Sequence, residues 1–534
     1  MKLKNFLMKF LGFGGVPTEE GGDRLSFRNF FMYPLGTLGR DFLYNLFNGY
    51  LLAFVLFTKN LTDGQFASIT IIIIAARIFD AFNDPIMGGI VENTRSKWGR
   101  YKPWQTIGAV LTGAVIIMVF CLPVDGWAFI GMLAAAYLLF SITFTMNDIS
   151  YWGMMPTLTT HNEDRNKLTS FTQICAGAGG GLVGLVVPMF TAGALSFVGA
   201  VNAYRILAIV AVVLMVGFQL FTILGVKERP LPRNLKKEDA LKLRDIFRTI
   251  FKNDQLLISA LVLLIISIGG GVVTGGLQMS YFYFEFGYQG GWFTTLGIGG
   301  AITSTAMVVL YPWLSNKFGR DKVLYFTLFC MVIGYALFMV VGLSFSAGAY
   351  MSTTWWIKFV LMAIISAITG FGGAHYMIMI INIANTIEYN EWKHGRRDEG
   401  LIFSLRPFTA KMGSALQQGL VSAVYMIAGV LTYTNQISNI ENAVSSGDIA
   451  AEMKDSLIAE VTTSVPEKNK MILLVCMCLI PMVFVSVAMI IYKKKFHLNE
   501  KELEKMMAEV RARKEYNEIP DGDVAEEIGF GTVA

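Results

Sequence analysis

Charge is scarce in this chain. Asp, Glu, Lys and Arg make up 16% of its 534 residues, where a soluble domain carries about 25%. Cysteine is scarcer still: Cys121, Cys175, Cys330, Cys476 and Cys478 are the only five, and all fall inside apolar stretches. That placement fits small buried hydrophobes and argues against a disulfide framework. Four histidines in scattered contexts leave no metal constellation to read. No nucleophile–base pair appears in the apolar stretches, so no enzyme and no cofactor are expected. Met1 to Arg28 has neither a long apolar run nor a small-residue cleavage site. The first apolar stretch is therefore expected to act as its own insertion signal.

What the chain does have is apolar length. Hydrophobic residues reach 54%, and mean hydropathy is +0.52. Stretches of about 20 apolar residues, each long enough to cross a ~30 Å hydrocarbon core, recur between short polar loops. The spans read as 34–58, 64–92, 104–123, 127–153, 167–191, 202–226, 255–285, 290–314, 323–343, 355–386, 401–431 and 471–492. Alternate loops are basic: Arg95, Lys97, Arg100 and Lys102; then Lys317, Arg320 and Lys322; then Lys493 to Lys495. The middle stretch 227–254 is basic too, with Lys227, Arg229, Lys236, Lys237, Lys242, Arg248 and Lys252. Loops between these are nearly free of Lys and Arg. Basic loops stay in the cytoplasm, which predicts an even number of spans and both termini inside a bacterial-type inner membrane.

The chain also repeats itself. Lys97-Trp98-Gly99-Arg100-Tyr101-Lys102 follows the second span, and Lys317-Phe318-Gly319-Arg320-Asp321-Lys322 follows the eighth. The pattern predicts an all-α membrane protein of twelve helices, built as two six-helix bundles with pseudo-two-fold symmetry, the major facilitator architecture. The divisions are 1–33 as a cytoplasmic segment, 34–226 and 255–492 as the bundles, 227–254 as the middle loop and 493–534 as a cytoplasmic tail. Gly179-Gly180-Gly181-Leu182-Val183-Gly184 fits a nucleotide-binding glycine pattern. It lies inside a span with no strand before it, so close helix packing is the better reading. The acidic stretch 432–469 is expected to be a mobile loop or a cap on the external mouth, and the charged run after Asn499 a solvated helix.

Ionisable side chains at membrane depth cost several kcal/mol and ask for a role. Asp41, Arg77, Asp80, Asp84, Asp148, Arg406 and Lys411 all fall within the spans. Arg77, Asp80 and Asp84 share one helical stripe at i, i+3 and i+7, with Asn83 beside them. Two carboxylates a turn apart repel unless a cation or a proton lies between them. Asp148 stands one turn from Thr145 and one from Trp152. A carboxylate with an indole a turn away suits a sugar, which offers hydroxyls to the acid and an apolar face to the ring. Ion pairing for structure alone is the competing account, closest to even for Arg77 and Arg406.

At these residues a family becomes recognisable. The run from Arg77-Ile78-Phe79-Asp80 through Asn83-Asp84-Pro85 to Thr94-Arg95-Ser96-Lys97-Trp98-Gly99-Arg100 resembles the glycoside–pentoside–hexuronide:cation symporters, the melibiose-permease-like branch of the major facilitator superfamily. Gly39-Arg40-Asp41, Thr145-Met146-Asn147-Asp148 with Trp152, and Glu388-Tyr389-Asn390-Glu391-Trp392 extend it over roughly residues 30–430. The resemblance implies a coupling-cation site, for sodium or a proton, at Asp80, Asn83, Asp84 and Thr145. It implies a sugar site at Asp41 and Asp148, with Arg40, Trp152 and Lys411. Two positions depart from the best-known member: Gln173 stands where an arginine is found, and Tyr376 where a tryptophan is found.

The expectation is a sodium- or proton-coupled importer of a glycoside, pentoside or short oligosaccharide. Its partners are that small molecule, the cation and the bilayer, with no nucleic acid. The rivals are a lysolipid carrier with an apolar cavity and a non-transporting sugar sensor.

Overall fold

A computed structural model describes residues 25–159, 162–193, 198–227, 252–345, 347–395, 399–498 and 500–518. The first 24 residues and most of the basic middle stretch, Arg229 to Arg248 included, lie outside these, as does the Arg406 side chain.

The described residues are helical throughout. The elements are α1 (Phe27–Thr58), α2 (Asp63–Asn93), α3 (Lys102–Cys121), α4 (Gly126–Leu158), α5 (Asn162–Thr191) and α6 (Gly199–Leu220). The second half has α7 (Asp254–Val272), α8 (Gly290–Phe318), α9 (Arg320–Ser344), α10 (Thr353–His394, with a 3₁₀ turn at Phe371–Ala374) and α11 (Glu399–Ala428). Then come α12 (Leu431–Ser446), α13 (Ala451–Ser464), α14 (Glu467–Lys495) and α15 (Glu500–Glu518). Past Val272 the chain of α7 passes a π turn, kinks at Gly276 (φ 131°) and continues as Gln278–Phe286. Among the described residues eleven helices are long and apolar enough to cross a membrane. A twelfth is reached only by joining Phe408–Ala428 to α12, bent 94° away. The helix that falls short, α11, is the one carrying Lys411, Ser414, Gln417 and Gln418 into the interior.

Local chemistry sets the ends. Thr62 and Gln65 form a capping box at the start of α2, each side chain bonding the other's backbone at 3.3 and 3.0 Å. Ser26, Asn253 and Ser352 cap α1, α7 and α10 in the same way, each side-chain oxygen taking an orphan N–H.

The repeat read from the loops extends to the packing. In the first half α1 packs on α5 and α6, α2 on α4, and α3 on α4 and α6. In the second, α7 packs on α11 and α14, α8 on α10, and α9 on α10 and α14. These are the same pairs, shifted by one half. Contacts between halves follow the same exchange, α2 against α11 and α5 against α8. Gly99 and Gly319, equivalent in the loop repeat, both hold φ values in the left-handed region, 102° and 87°. Only glycine takes that conformation without strain, which explains its place in both motifs. Each loop also reaches the end of its own half: Lys102 Nζ donates to the Val226 carbonyl at 2.7 Å, and Arg320 Nη2 to Leu498 at 2.6 Å.

Small residues bring backbones together. A Cβ on Gly179 would meet the Leu38 carbonyl oxygen at 2.3 Å, so α5 and α1 touch main chain to main chain there. That is the packing role expected of this glycine run, though Gly181 and Gly184 face open space.

Residues 432–469 are not a mobile loop. α12 lies across the ends of α1, α2 and α6 of the opposite half, and does so through asparagines. Asn435 exchanges two hydrogen bonds with the Leu61 backbone, at 2.7 and 3.0 Å, and Asn442 donates to the Thr58 carbonyl at 2.9 Å. Glu441 accepts from the Ala200 N–H at 2.6 Å and pairs with Lys454 of α13 at 3.1 Å, both side chains being buried. α12 is thus a helix docked on the first half, with α13 paired to it. The tail helix is not simply solvated either. α15 packs on α10, where the Trp392 indole donates to Glu509 at 2.6 Å.

Candidate functional site

Between the halves lies a cavity of about 650 Å³. Ten of the eleven residues placed at the cation and sugar sites from the sequence line it: Arg40, Asp41, Asp80, Asp84, Thr145, Asp148, Trp152, Gln173, Tyr376 and Lys411. They come from α1, α2, α4, α5, α10 and α11, so no one helix makes the site. The eleventh, Asn83, is turned to α4 and donates to the Ser141 carbonyl at 3.4 Å. Met155 and Thr169 carry the cavity toward the end of the molecule that bears the basic loops, and α12 covers the opposite end.

Two clusters share this space. In the first, Arg40 is buried, 2% exposed, and its Nη2 donates to Asp41 at 2.9 Å. Its Nη1 stands 3.1 Å from Asp148 but makes no aligned hydrogen bond, so that contact is ionic. The guanidinium also lies over the rings of Tyr151 (4.7 Å) and Trp152 (5.2 Å). The sugar site read from the resemblance has both acids, Asp41 and Asp148, with Arg40 beside them. One guanidinium holds both, because two carboxylates that share a site need a cation between them. Asp148 remains 40% exposed to the cavity with acceptor capacity to spare.

In the second cluster, Ser141 donates to Asp80, and Thr145 to Asp84 at 3.1 Å. The other Asp84 oxygen is paired with the Lys411 ammonium, an ion pair that joins α2 of the first half to α11 of the second. Ser141 was missed in the sequence although the signal was present: Ser141, Thr145 and Asp148 stand at i, i+4 and i+7 on one face of α4. Arg77 leaves the stripe it shares with Asp80 and Asp84 to bond Asn48 on α1, near the Tyr137 ring. Among the described residues no group of three or more His, Cys, Asp and Glu is placed to hold a metal.

The charges do not cancel. Arg40, Arg77 and Lys411 supply three positive charges to the lining, and Asp41, Asp80, Asp84 and Asp148 four negative ones. Among the described residues one formal negative charge is left over.

A helical protein of two exchange-related halves, with membrane-length apolar helices and a charged cavity between the halves, has the major facilitator fold. The family model described as MFS/sugar transport protein matches residues 32–500, and the chain belongs to that family, in its melibiose-permease-like branch. It is similar to the raffinose carrier protein of Pediococcus pentosaceus, 29% identical over 419 residues, 75% of this chain and 62% of the relative. It is also similar to the lactose permease of Leuconostoc lactis, 29% identical over 445 residues, 78% and 64% of the two chains. The chain thus spans under two thirds of the length of these relatives. Among solved structures, a bacterial homologue of the human lysosomal transporter Spinster, inward-facing and unoccupied, superposes with a TM-score of 0.56. That match has 12% identity, covers 88% of this chain and 97% of the other, and speaks for the fold alone.

Proposed function

We propose that this chain is a cation-coupled symporter that imports a neutral glycoside, pentoside or short oligosaccharide by alternating access. The observation that carries the proposal is the charge balance of the cavity. Among the described residues its lining carries one formal negative charge in surplus, three cations against four carboxylates, with the half-exposed Asp148 next to the Trp152 indole. A monovalent cation neutralises that surplus, and a neutral substrate leaves the balance unchanged.

Asp80, Asp84, Thr145 and Ser141 offer only oxygens, the donor set that a small hard cation takes. Lys411 occupies one Asp84 oxygen in the meantime. An arriving sodium ion, or a proton on one carboxylate, weakens the Asp84–Lys411 pair. Lys411 is thereby freed toward the sugar side of the cavity, and the link between the halves loosens. Coupling follows from this exchange: the halves, residues 34–226 and 255–492, are held by the lysine until the cation releases it. Asp148 and Asp41 accept hydroxyl protons, Trp152 and Tyr376 offer faces to the ring, and Gln173 both donates and accepts.

The basic loops support a cytoplasmic place for the end of the cavity lined by Met155 and Thr169, and an outer place for α12. Both termini then lie inside, in a cytoplasmic membrane. The names of the raffinose and lactose relatives support a sugar as cargo. The lysolipid alternative calls for an apolar cavity, and seven ionisable Asp, Arg and Lys side chains in the lining speak against it.

Substrate counterflow in membrane vesicles tests the proposal. A panel including lactose and raffinose, with sodium varied at fixed pH, is expected to yield a counterflowing sugar. Vesicles that exchange none of the panel at any sodium concentration or pH overturn it.

A further inference from the structure

A second cavity, of about 400 Å³, lies between the halves on the far side of Arg77 from the charged one. Arg77 lines both. The second wall is different in kind. It holds no Asp, Glu or Lys among the described residues, and five of its side chains are amides: Asn45 and Asn48 of α1, Gln278, and Gln417 and Gln418 of α11. Tyr50, Tyr137, Phe293 and Tyr425 supply ring surface beside them.

We propose that this amide cavity is a second glycosyl subsite, which takes the further rings of an oligosaccharide whose first ring sits at Asp148 and Trp152. The inference rests on the symport reading above and deepens it by naming the substrate as an oligosaccharide rather than a monosaccharide. Amides and aromatic rings are the chemistry a neutral sugar needs away from charge. An amide pairs with a hydroxyl in either sense, and the rings cover apolar C–H faces. The volume is that of a small-molecule site, on top of the 650 Å³ already available.

One detail points to a ligand rather than to packing. The Gln418 Nε2 is buried and has no hydrogen-bond partner among the described residues, which is costly for an amide at membrane depth. The backbone makes room for the amides themselves: the Gln417 side chain lies against Gly271, where a Cβ would meet its Oε1 at 2.1 Å, and just beyond it α7 breaks its regular helix and kinks at Gly276. The departure from helix on α7 thus falls where the amides gather.

The test is equilibrium binding to the purified full chain of three probes: a methyl monosaccharide, lactose and raffinose. Two variants are used, Gln417→Ala with Gln418→Ala, and Gly49→Leu. Gly49 lines this cavity, and a Cβ there meets nothing within 4 Å, so the larger side chain fills the space without disturbing α1. The readout is the ratio of oligosaccharide to monosaccharide affinity. In wild type this ratio is expected to exceed one, and in both variants to fall at least tenfold. A ratio unchanged in both variants, in a protein that still binds sugar, overturns the subsite and leaves the symport reading standing. A correctly folded wild type that binds none of the three probes overturns both.

Discussion

Replacing Arg40 by glutamine removes the one cation that holds Asp41 and Asp148 together. The consequence can be worked from the two pairs separately. Asp41 is 19% exposed and its pair with a buried guanidinium is 2.9 Å long, so stripping the partner approaches the cost of an unpaired buried charge, about 3–5 kcal/mol. Asp148 is 40% exposed and its contact is ionic, so solvent screens that pair to about 1 kcal/mol or less. One carboxylate is then expected to take up a proton, which limits the loss to roughly 3 kcal/mol of stability. The protonated acid no longer offers a charged acceptor. A sugar that loses a charged hydrogen bond loses about 1.5–3 kcal/mol, or roughly ten- to hundredfold in affinity. Arg40→Lys restores charge but not the fork that spans two acids, and recovers part of each effect. Thermal unfolding and calorimetric sugar binding on purified protein read both quantities. If Arg40→Gln unfolds and binds as wild type does, the Arg40 cluster is neither a structural nor a binding element.

Further predictions concern the same cavity and its cap. Asp148→Ala is expected to abolish detectable sugar binding, and normal binding of every accepted sugar by this variant refutes its role as acceptor. Gln173→Arg brings a fixed fork of donors into the site and is expected to change which sugars compete rather than tighten all of them. Lys411→Ala removes the cation that occupies Asp84, so sodium is expected to bind more tightly to this variant while sugar accumulation falls; weaker sodium binding contradicts the exchange. Glu441→Ala removes the buried carboxylate that takes the Lys454 ion pair and the Ala200 N–H bond, a loss of about 1–3 kcal/mol. It is expected to raise protease sensitivity of residues 431–464, and an unchanged digestion pattern refutes the docking of α12.

The membrane architecture was legible because apolar length and loop charge are one-dimensional signals. The loop repeat was legible as well, since glycine was fixed at Gly99 and Gly319 by a backbone conformation that other residues resist. The residues of the cavity could be named because charge inside an apolar span is conspicuous wherever the helix turns it. How they pair could not be read that way. The sequence puts Arg77 beside Asp80 on one stripe, yet Arg77 bonds Asn48 of another helix, and Asp84 is met by Lys411 from 327 positions away. Pairings across helices depend on packing that no spacing rule encodes. The same limit hid α12. Its asparagines look like loop residues until the exposed backbone of Leu61 and Thr58 is brought opposite them.

The central claim is that a cation gradient, acting through Asp84, drives sugar uphill. The direct measurement is accumulation of radiolabelled lactose or raffinose, whichever counterflow selects, in vesicles given an inward gradient of sodium or of protons. Wild type is expected to concentrate the sugar severalfold with one gradient and to equilibrate it without. Asp84→Cys is expected to insert normally and never exceed equilibration. Full accumulation by Asp84→Cys and Asp80→Cys, or accumulation by wild type that is indifferent to both gradients, contradicts the account.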